Sequence, residues 1–346
     1  MAYTTINKSS DYFNPVEYAG DGTSDRAVTS GFATDFVWIK NRNTTDDHVI
    51  FDKVRGGTKY VYTNATQAES TYSSLDLTFE STGVDVGSYT TINNNGSNLI
   101  SYHWKANGTG SANTNGSINT TYTSANTTAG FSISSYTGTG ANATVGHGLG
   151  VAPKMYICKS LSSARSWAVY NQNIGNTKAL FLNSSDAQDT DATYWNSTSP
   201  TNSVVSLGSR SEMNHSGENF VMYCFAEKTG YSKFGSYTGN GNADGTFVYT
   251  GFKPAFLIAK ETGNTRDWVM VDNKRPGYNV VDELLVPNSS GAEITGNSSL
   301  YIDLISNGFK IRGDNSAWNN SGGNYIFMAF AETPLVGSNN VPCTAR

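Results

Sequence analysis

The sequence predicts an all-β protein of three tandem antiparallel β-sandwich domains, jelly-roll-like in their strand content. Three observations predict it. A long motif recurs three times, short apolar runs alternate with Gly-, Asn-, Ser- and Thr-rich turns, and no window has the 3.6-residue period of an amphipathic helix. The motif opens with Tyr18-Ala19-Gly20-Asp21-Gly22, Tyr136-Thr137-Gly138-Thr139-Gly140 and Tyr237-Thr238-Gly239-Asn240-Gly241. Each copy leads to an apolar run: Phe36-Val37-Trp38-Ile39, Met155-Tyr156-Ile157-Cys158 and Phe256-Leu257-Ile258-Ala259. The spacing, roughly 100 to 120 residues, is the size of a whole small domain and too long for a solenoid repeat.

Within each unit the strands follow in the same order. The apolar run reads as a strand covered on both faces. A polar turn then leads to a second strand: Asp47-His48-Val49-Ile50-Phe51-Asp52, Ser166-Trp167-Ala168-Val169-Tyr170-Asn171 or Asp267-Trp268-Val269-Met270-Val271-Asp272. These are rich in the aromatic and β-branched residues that suit a pleated surface. A second hairpin follows in unit one, from Leu75-Asp76-Leu77-Thr78-Phe79 through Gly83 to Val84-Asp85-Val86. Unit three repeats it from Tyr301-Ile302-Asp303-Leu304-Ile305 through Asn307-Gly308 to Phe309-Lys310-Ile311, and Asn-Gly between alternating apolar residues is a strong hairpin signal. Unit two keeps only Val204-Val205-Ser206-Leu207-Gly208 of it. All three units close on one strand: Asn98 to Trp104, Asn219 to Phe225 and Asn324 to Phe330. The predicted boundaries are 1–106, 131–230 and 231–333 for the sandwiches. Residues 107–130, almost wholly Asn, Thr, Ser, Gly and Ala, read as a linker, and 334–346 as a polar tail.

Composition narrows the function. Charged residues make up 15% of the chain and the net charge is -5, without the basic stripe of a nucleic-acid binder. No apolar run approaches the ~18 residues of a membrane span, so no membrane insertion is expected. Residues 1–11 lack the apolar core of a secretory leader, which predicts a chain made in a cytosol. The three cysteines are far apart. Cys158 and Cys224 fall in strand runs as small hydrophobes and Cys343 in the tail, so folding needs no oxidation.

A search for chemistry leaves turns and packing. His48, His103, His147 and His215 show no metal-ligand spacing with one another or with the cysteines. His48 occupies a slot that holds Trp167 and Trp268 in the other units, so packing is expected there. His147 reads as the entry to a turn, and His103 as a half-exposed strand position. Asp52 and Asp272 share a slot with Asn171, which favours a strand-end hydrogen bond over acid–base work. Asp76 and Asp303 are expected to face solvent. The Gly-x-Gly pairs open no helix and carry no Lys-Ser/Thr, so they read as tight turns with positive φ and not as phosphate loops. Asp21, Asp25 and Asp244 offer oxygens there, but turn aspartates usually bond their own backbone. No catalytic residue, no metal and no cofactor is predicted. The candidate binding residues are loop aromatics and amides, which stack on sugars and hydrogen-bond to them: Tyr60, Tyr62 and Tyr72 in unit one, Tyr194 and Trp195 in unit two, Asn315, Trp318 and Asn319 in unit three. The loops 198–202 and 314–319, where the units differ most, are the expected recognition loops.

Three strings carry a resemblance: Tyr237-Thr238-Gly239-Asn240-Gly241 leading to Gly251-Phe252-Lys253-Pro254-Ala255-Phe256, His147-Gly148-Leu149-Gly150-Val151-Ala152-Pro153-Lys154-Met155, and Ala331-Glu332-Thr333-Pro334-Leu335-Val336-Gly337. Together they resemble repeated β-domain virion proteins of tailed phages, most of all marine phages, whose lectin-like or laminin-G-like sandwiches occur in tail fibres and appendages. The resemblance implies a virion location, threefold assembly as a homotrimer, and no catalytic activity; other virion proteins and, from the loop aromatics and amides, a host surface glycan are the expected partners. The chain departs from a long fibre in having no heptads and no shaft-like stretch. A capsid decoration or vertex protein and a glycan-cleaving tail spike are the alternatives.

Overall fold

Alternation along the strands buries residues on both sides of every large sheet. The computed structural model describes residues 4–71 and 77–333; Tyr72, Asp76, Cys343 and the tail 334–346 lie outside them. In unit one the strands are β1 (Phe13–Ala19), β2 (Arg26–Thr29), β3 (Phe36–Asn41), β4 (Val49–Asp52), β5 (Lys59–Tyr62), β6 (Ser70–Thr71), β7 (Leu77–Phe79), β8 (Gly83–Val86) and β9 (Asn98–Trp104). They form an antiparallel sheet in the order β1-β9-β3-β4-β5-β6 and a small one, β2-β8-β7. Every residue of β3 is buried. Val37 and Ile39 pack with Val28, Val84 and Val86 of the small sheet, while Phe36 and Trp38 point the other way.

Unit two has β10 (Tyr122–Asn126), β11 (Phe131–Thr137), β12 (Ala143–Gly146), β13 (Met155–Ser160), β14 (Ala168–Asn171), β15 (Lys178–Phe181), β16 (Asp189–Thr190), β17 (Val204–Leu207) and β18 (Asn219–Phe225). Its sheets run β10-β11-β18-β13-β14-β15-β16 and β12-β17. Unit three has β19 (Ser232–Thr238), β20 (Phe247–Tyr249), β21 (Pro254–Glu261), β22 (Val269–Asp272), β23 (Ile302–Ile305), β24 (Gly308–Ile311) and β25 (Asn324–Ala331), in sheets β19-β25-β21-β22 and β20-β24-β23. Four strands keep one order in the three large sheets: β1-β9-β3-β4, β11-β18-β13-β14 and β19-β25-β21-β22.

The stretch 107–130, read as a linker, is built into unit two. Tyr122–Asn126 is strand β10, paired along β11. Ile118 is buried in the unit-two core, and its N–H donates to the Thr144 carbonyl at 3.0 Å. A polar composition does not preclude a strand when one face is half-buried and the backbone bonds are made. Unit two also lacks a counterpart of β7. Tyr194 and Trp195 fill that side, Trp195 packed edge-on to Tyr156 at 4.9 Å.

Each Tyr-x-Gly-x-Gly copy is one clamp. Three one-turn helices, α1 (Thr90–Asn93), α2 (Ser211–Asn214) and α3 (Ser316–Asn319), end on the buried residues Asn93, Asn214 and Asn319. Their Oδ1 atoms accept the N–H of Asp21, Thr139 and Asn240 at 2.9, 2.8 and 2.9 Å. The motif tyrosines donate to the carbonyl one residue earlier, Tyr18 to Ile92, Tyr136 to Met213 and Tyr237 to Trp318. In unit three the first glycine is required by contact, since a Cβ on Gly239 would lie 2.4 Å from the Asn320 carbonyl oxygen. The second is required by its φ of 66° at Gly241.

The units are not beads on a string. Their outward-turned apolar faces meet in one continuous core that draws residues from all three. Phe13 of unit one stacks on Phe330 of unit three at 4.8 Å, Phe36 meets Tyr223 of unit two edge-on at 4.8 Å, and Phe225 of unit two meets Phe330 at 6.3 Å. Backbone bonds at equivalent positions close the ring. Glu69 N–H donates to Leu161 O at 3.1 Å, Gln188 to Thr262 O at 2.8 Å and Glu293 to Arg42 O at 2.9 Å, which runs from unit one to two, two to three and three to one. Trp167 Nε1 reaches Tyr62 O at 2.9 Å and Trp268 Nε1 reaches Phe181 O at 2.8 Å across two of these seams.

Two seams carry the same buried polar cluster. Tyr223 donates to Asp52 at 2.7 Å and Tyr102 to Asp272 at 2.7 Å, and each aspartate is paired with an arginine three residues on, Arg55 or Arg275. Burial alone would raise the Asp272 carboxyl, but the Arg275 charge and the hydrogen bonds from Tyr102 and Arg275 hold it below its usual range. At the third seam the same positions carry Asn171, Ile174 and Met328. All three members change together, so no carboxylate or guanidinium is left alone there.

A lysine repeats at the end of the central strand in every unit: Lys40, Lys159 and Lys260, all fully buried. Each ammonium bonds to loop carbonyls, and Lys159 joins Arg165 O at 2.8 Å to Thr66 O of unit one at 2.9 Å. Burial lowers them to about 8, about 7 and about 8.

Two outcomes follow from the seams. Asn171→Asp alone places an unpaired carboxylate in the third seam and is expected to cost about 3 kcal/mol or more in urea unfolding. Adding Ile174→Arg and Met328→Tyr is expected to recover part of that loss, which would not happen if the three positions were independent. For Lys159, the folded chain releases a proton near 7 that the unfolded chain keeps until about 10.4, so this group makes stability rise with pH between those values. Lys159→Met is expected to flatten the rise between pH 7 and 8.5 relative to the native chain, as read by denaturant midpoints.

Candidate functional site

The structure does not bring the sequence-predicted binding residues to one surface. Tyr60 is buried beside the half-buried Tyr62, ring to ring at 5.2 Å. Tyr194 and Trp195 are fully buried. The Tyr194 hydroxyl donates to Asp189 at 2.6 Å, Arg210 lies over its ring at 4.6 Å, and Trp195 Nε1 is bonded to Lys178 O at 2.8 Å. Trp318 is buried within α3, and Asn315 caps that turn by accepting the Ala317 N–H at 2.8 Å. Asn319 is the buried clamp residue. The expectation that these rings stack on a sugar is corrected for Tyr194, Trp195 and Trp318. A ring packed on both faces offers no face to a ligand, and in unit two these rings take the space of the missing strand.

Three of the four histidines, His48, His103 and His147, are structural as well, and His215 is exposed. His103, expected at a half-exposed position, is fully buried because β9 lies inside its sheet between β1 and β3. It bonds Thr34 Oγ1 at 3.0 Å and Ser101 Oγ at 2.8 Å. Burial lowers it to about 3. His48 fills the slot of Trp167 and Trp268 and accepts the Trp38 Nε1 hydrogen at 3.1 Å. Burial holds it well below its usual value, reinforced by the Lys40 charge. His147 braces the turn expected of it, accepting the Leu149 N–H at 3.1 Å. Burial keeps these imidazoles neutral at physiological pH. Cys158 and Cys224 are free and buried, and burial pushes the Cys158 thiol up to about 12, far from a reactive thiolate. Among the described residues no three His, Cys, Asp or Glu side chains converge as a metal site. Asp303 is partly exposed and pairs with Arg312 at 3.2 Å.

One surface depression repeats, beside the turn that follows β14 and β22. In unit two the hollow has a volume of about 430 Å³ and is lined by Ala152, Pro153, Lys154, Tyr170, Gln172, Gly175, Asn176, Ser199 and Pro200. In unit three it is about 180 Å³, with Lys253, Asn273 and Gly277 at the positions of Ala152, Gln172 and Asn176, and with Tyr278 and Asn279 added. In unit one a hollow of about 280 Å³ shares only Gly57, at the position of Asn176, and is otherwise lined by Ser24, Asp25, Thr58, Leu77, Thr78 and Asp85, so it is a different depression on the side of the small sheet. The sandwich supplies the floor and the variable loops the rim. Ser199 and Pro200 come from the 198–202 loop, and Asn176 Nδ2 donates to Ser199 Oγ at 3.1 Å across the opening. Amide, hydroxyl and ammonium groups around an apolar floor suit a polar, uncharged ligand such as a saccharide. Sequence reasoning reached the 198–202 loop but not Gln172, Asn176 or Lys154, because turn amides are common throughout this chain.

No curated protein matches the chain. One family domain, a domain of unknown function designated DUF7483, matches residues 8–334. That match runs through all three units and the stretch between the first two, as the shared core does. The chain therefore belongs to the DUF7483 family.

Proposed function

We propose that this chain is a non-enzymatic structural protein of a phage virion, an appendage or tail-fibre adhesin that holds host surface glycan in the depressions at the rims of its sandwiches. The observation that carries the reading is the recurrence of one polar hollow at equivalent positions of units two and three with different linings. Two weak sites on one rigid body engage a repeating polysaccharide together and gain in avidity. The sequence resemblance to repeated phage β-domain proteins supports the virion location. The threefold assembly that the resemblance implies needs no second copy on this reading, since the ring already joins three sandwiches in one polypeptide.

A capsid decoration or vertex protein is the second reading, and the burial of Tyr194, Trp195 and Trp318 favours it, because an aromatic platform is what strong sugar binding uses. A panel of bacterial envelope polysaccharides, read by biolayer interferometry, separates the two. The adhesin binds at least one of them, and the double change Gln172→Ala and Asn176→Ala weakens binding by about tenfold, the loss expected for two polar contacts. No polysaccharide binding together with tight binding to purified capsids supports the decoration protein instead. Release of reducing sugar from any of them overturns the non-enzymatic assignment.

A further inference from the structure

The edge of the small sheet is closed in unit two and open in unit three. In unit two, β12 is covered by the chain itself. Ile118 N–H donates to Thr144 O at 3.0 Å, and Ser117 and Thr144 exchange N–H-to-hydroxyl bonds at 2.9 Å each. The equivalent strand of unit three is β20, with Phe247 at the position of Thr144. It pairs with β24 in the register Phe247–Lys310, Val248–Phe309 and Tyr249–Gly308. The flanking bonds, Ile311 N–H to Thr246 O and Thr250 N–H to Asn307 O, fix which residues bond inward. By antiparallel alternation Phe247 and Tyr249 turn their N–H and C=O groups outward. Their side chains are also outward, 45% and 63% exposed, while Val248 between them is buried. No described residue covers this edge.

We propose that β20 pairs with the same strand of a second copy, antiparallel about a twofold axis at Val248. The two three-stranded sheets then become one of six strands. Phe247 faces Tyr249 of the partner subunit and Tyr249 faces Phe247 of the partner subunit, each pair exchanging two N–H···O bonds and stacking aromatic side chains on the outer face. The strand is its own complement under this axis, as an isologous contact requires. Residues 246–250, Thr-Phe-Val-Tyr-Thr, carry no charge, so two copies meet without repulsion. Exposed edges are normally blunted by Lys, Pro or a covering segment, and β20 has none of these. The equivalent edge of unit one offers only Ala27 and Thr29 as exposed side chains, and that of unit two is filled, so this contact belongs to β20 alone among the three equivalent strands.

Sedimentation equilibrium of the full chain over a wide concentration range tests this. A monomer–dimer equilibrium is expected. Phe247→Lys with Tyr249→Lys is expected to weaken it at least about tenfold through charge at the edge. Tyr249→Pro, which removes an N–H that the fold does not use, is expected to do the same. Ala27→Lys with Thr29→Lys is expected to leave association unchanged. Thermal unfolding at low concentration checks that each variant is folded, and the lysine pair serves if the proline does not fold. A monomer at every concentration, a trimer, or a dimer indifferent to the β20 variants would each overturn the proposal.

Discussion

The large sheets are apolar on both faces, and the rest of the structure answers that constraint. A sandwich sheet normally shows one face to its partner and the other to water. Here β3 turns Val37 and Ile39 to the small sheet and Phe36 and Trp38 away from it, and β13 and β18 divide their residues in the same way. Three sheets with a second apolar face have to cover one another. A cyclic arrangement does so with one kind of contact used three times, which is why equivalent backbone bonds recur at the three seams. The buried aromatic groups at the centre supply large apolar area with few torsions to immobilise.

The polar groups within this arrangement are there to end strands and fix loops. Asp52 and Asp272 hold the turn after their strands and receive a tyrosine from the neighbouring unit, so one carboxylate serves local and ring structure together. Arg42 of unit one, itself buried, reaches Glu17 in its own unit and Glu283 and Glu293 in unit three, and Glu293 returns to Arg275. These are high-stakes networks, because removing one partner leaves a charge in a dry seam.

Much of this was legible in residue order. The repeat, the strand order, the glycine turns and the packing role of the His48 slot all follow from alternation and from comparing one unit with the next. The continuous apolar runs also contained the central core, since a run buried on both faces needs a second partner. Tandem independent domains do not supply one, and nothing local distinguishes a partner in the same unit from one in the next. Residues 107–130 were misleading for a related reason. Their composition describes side chains, whereas the backbone bonds of β10 and the single buried Ile118 decide their structure. The aromatic candidates Tyr194, Trp195 and Trp318 are buried because a loop position does not entail exposure. Tyr194 and Trp195 lie in a turn, but that turn replaces a strand of the small sheet.

Departure from symmetry is as informative as symmetry. Three similar units in one chain invite the wrong partnering, either within the chain or between chains that exchange units. Identical seams would make every such arrangement equally good. The third seam, with Asn171, Ile174 and Met328 where the others place Asp, Arg and Tyr, removes that degeneracy. Were Met328 to face Asp52, that carboxylate would lose its tyrosine. Were Tyr223 to face Asn171, its hydroxyl would meet an amide with no guanidinium behind it. The cost of an incomplete buried cluster thus penalises a misplaced unit more than apolar packing could, because aromatic and aliphatic side chains re-pack with modest loss. Unit order around the ring is in this way encoded by a few polar residues at the edges of a core that is otherwise nearly indifferent to it.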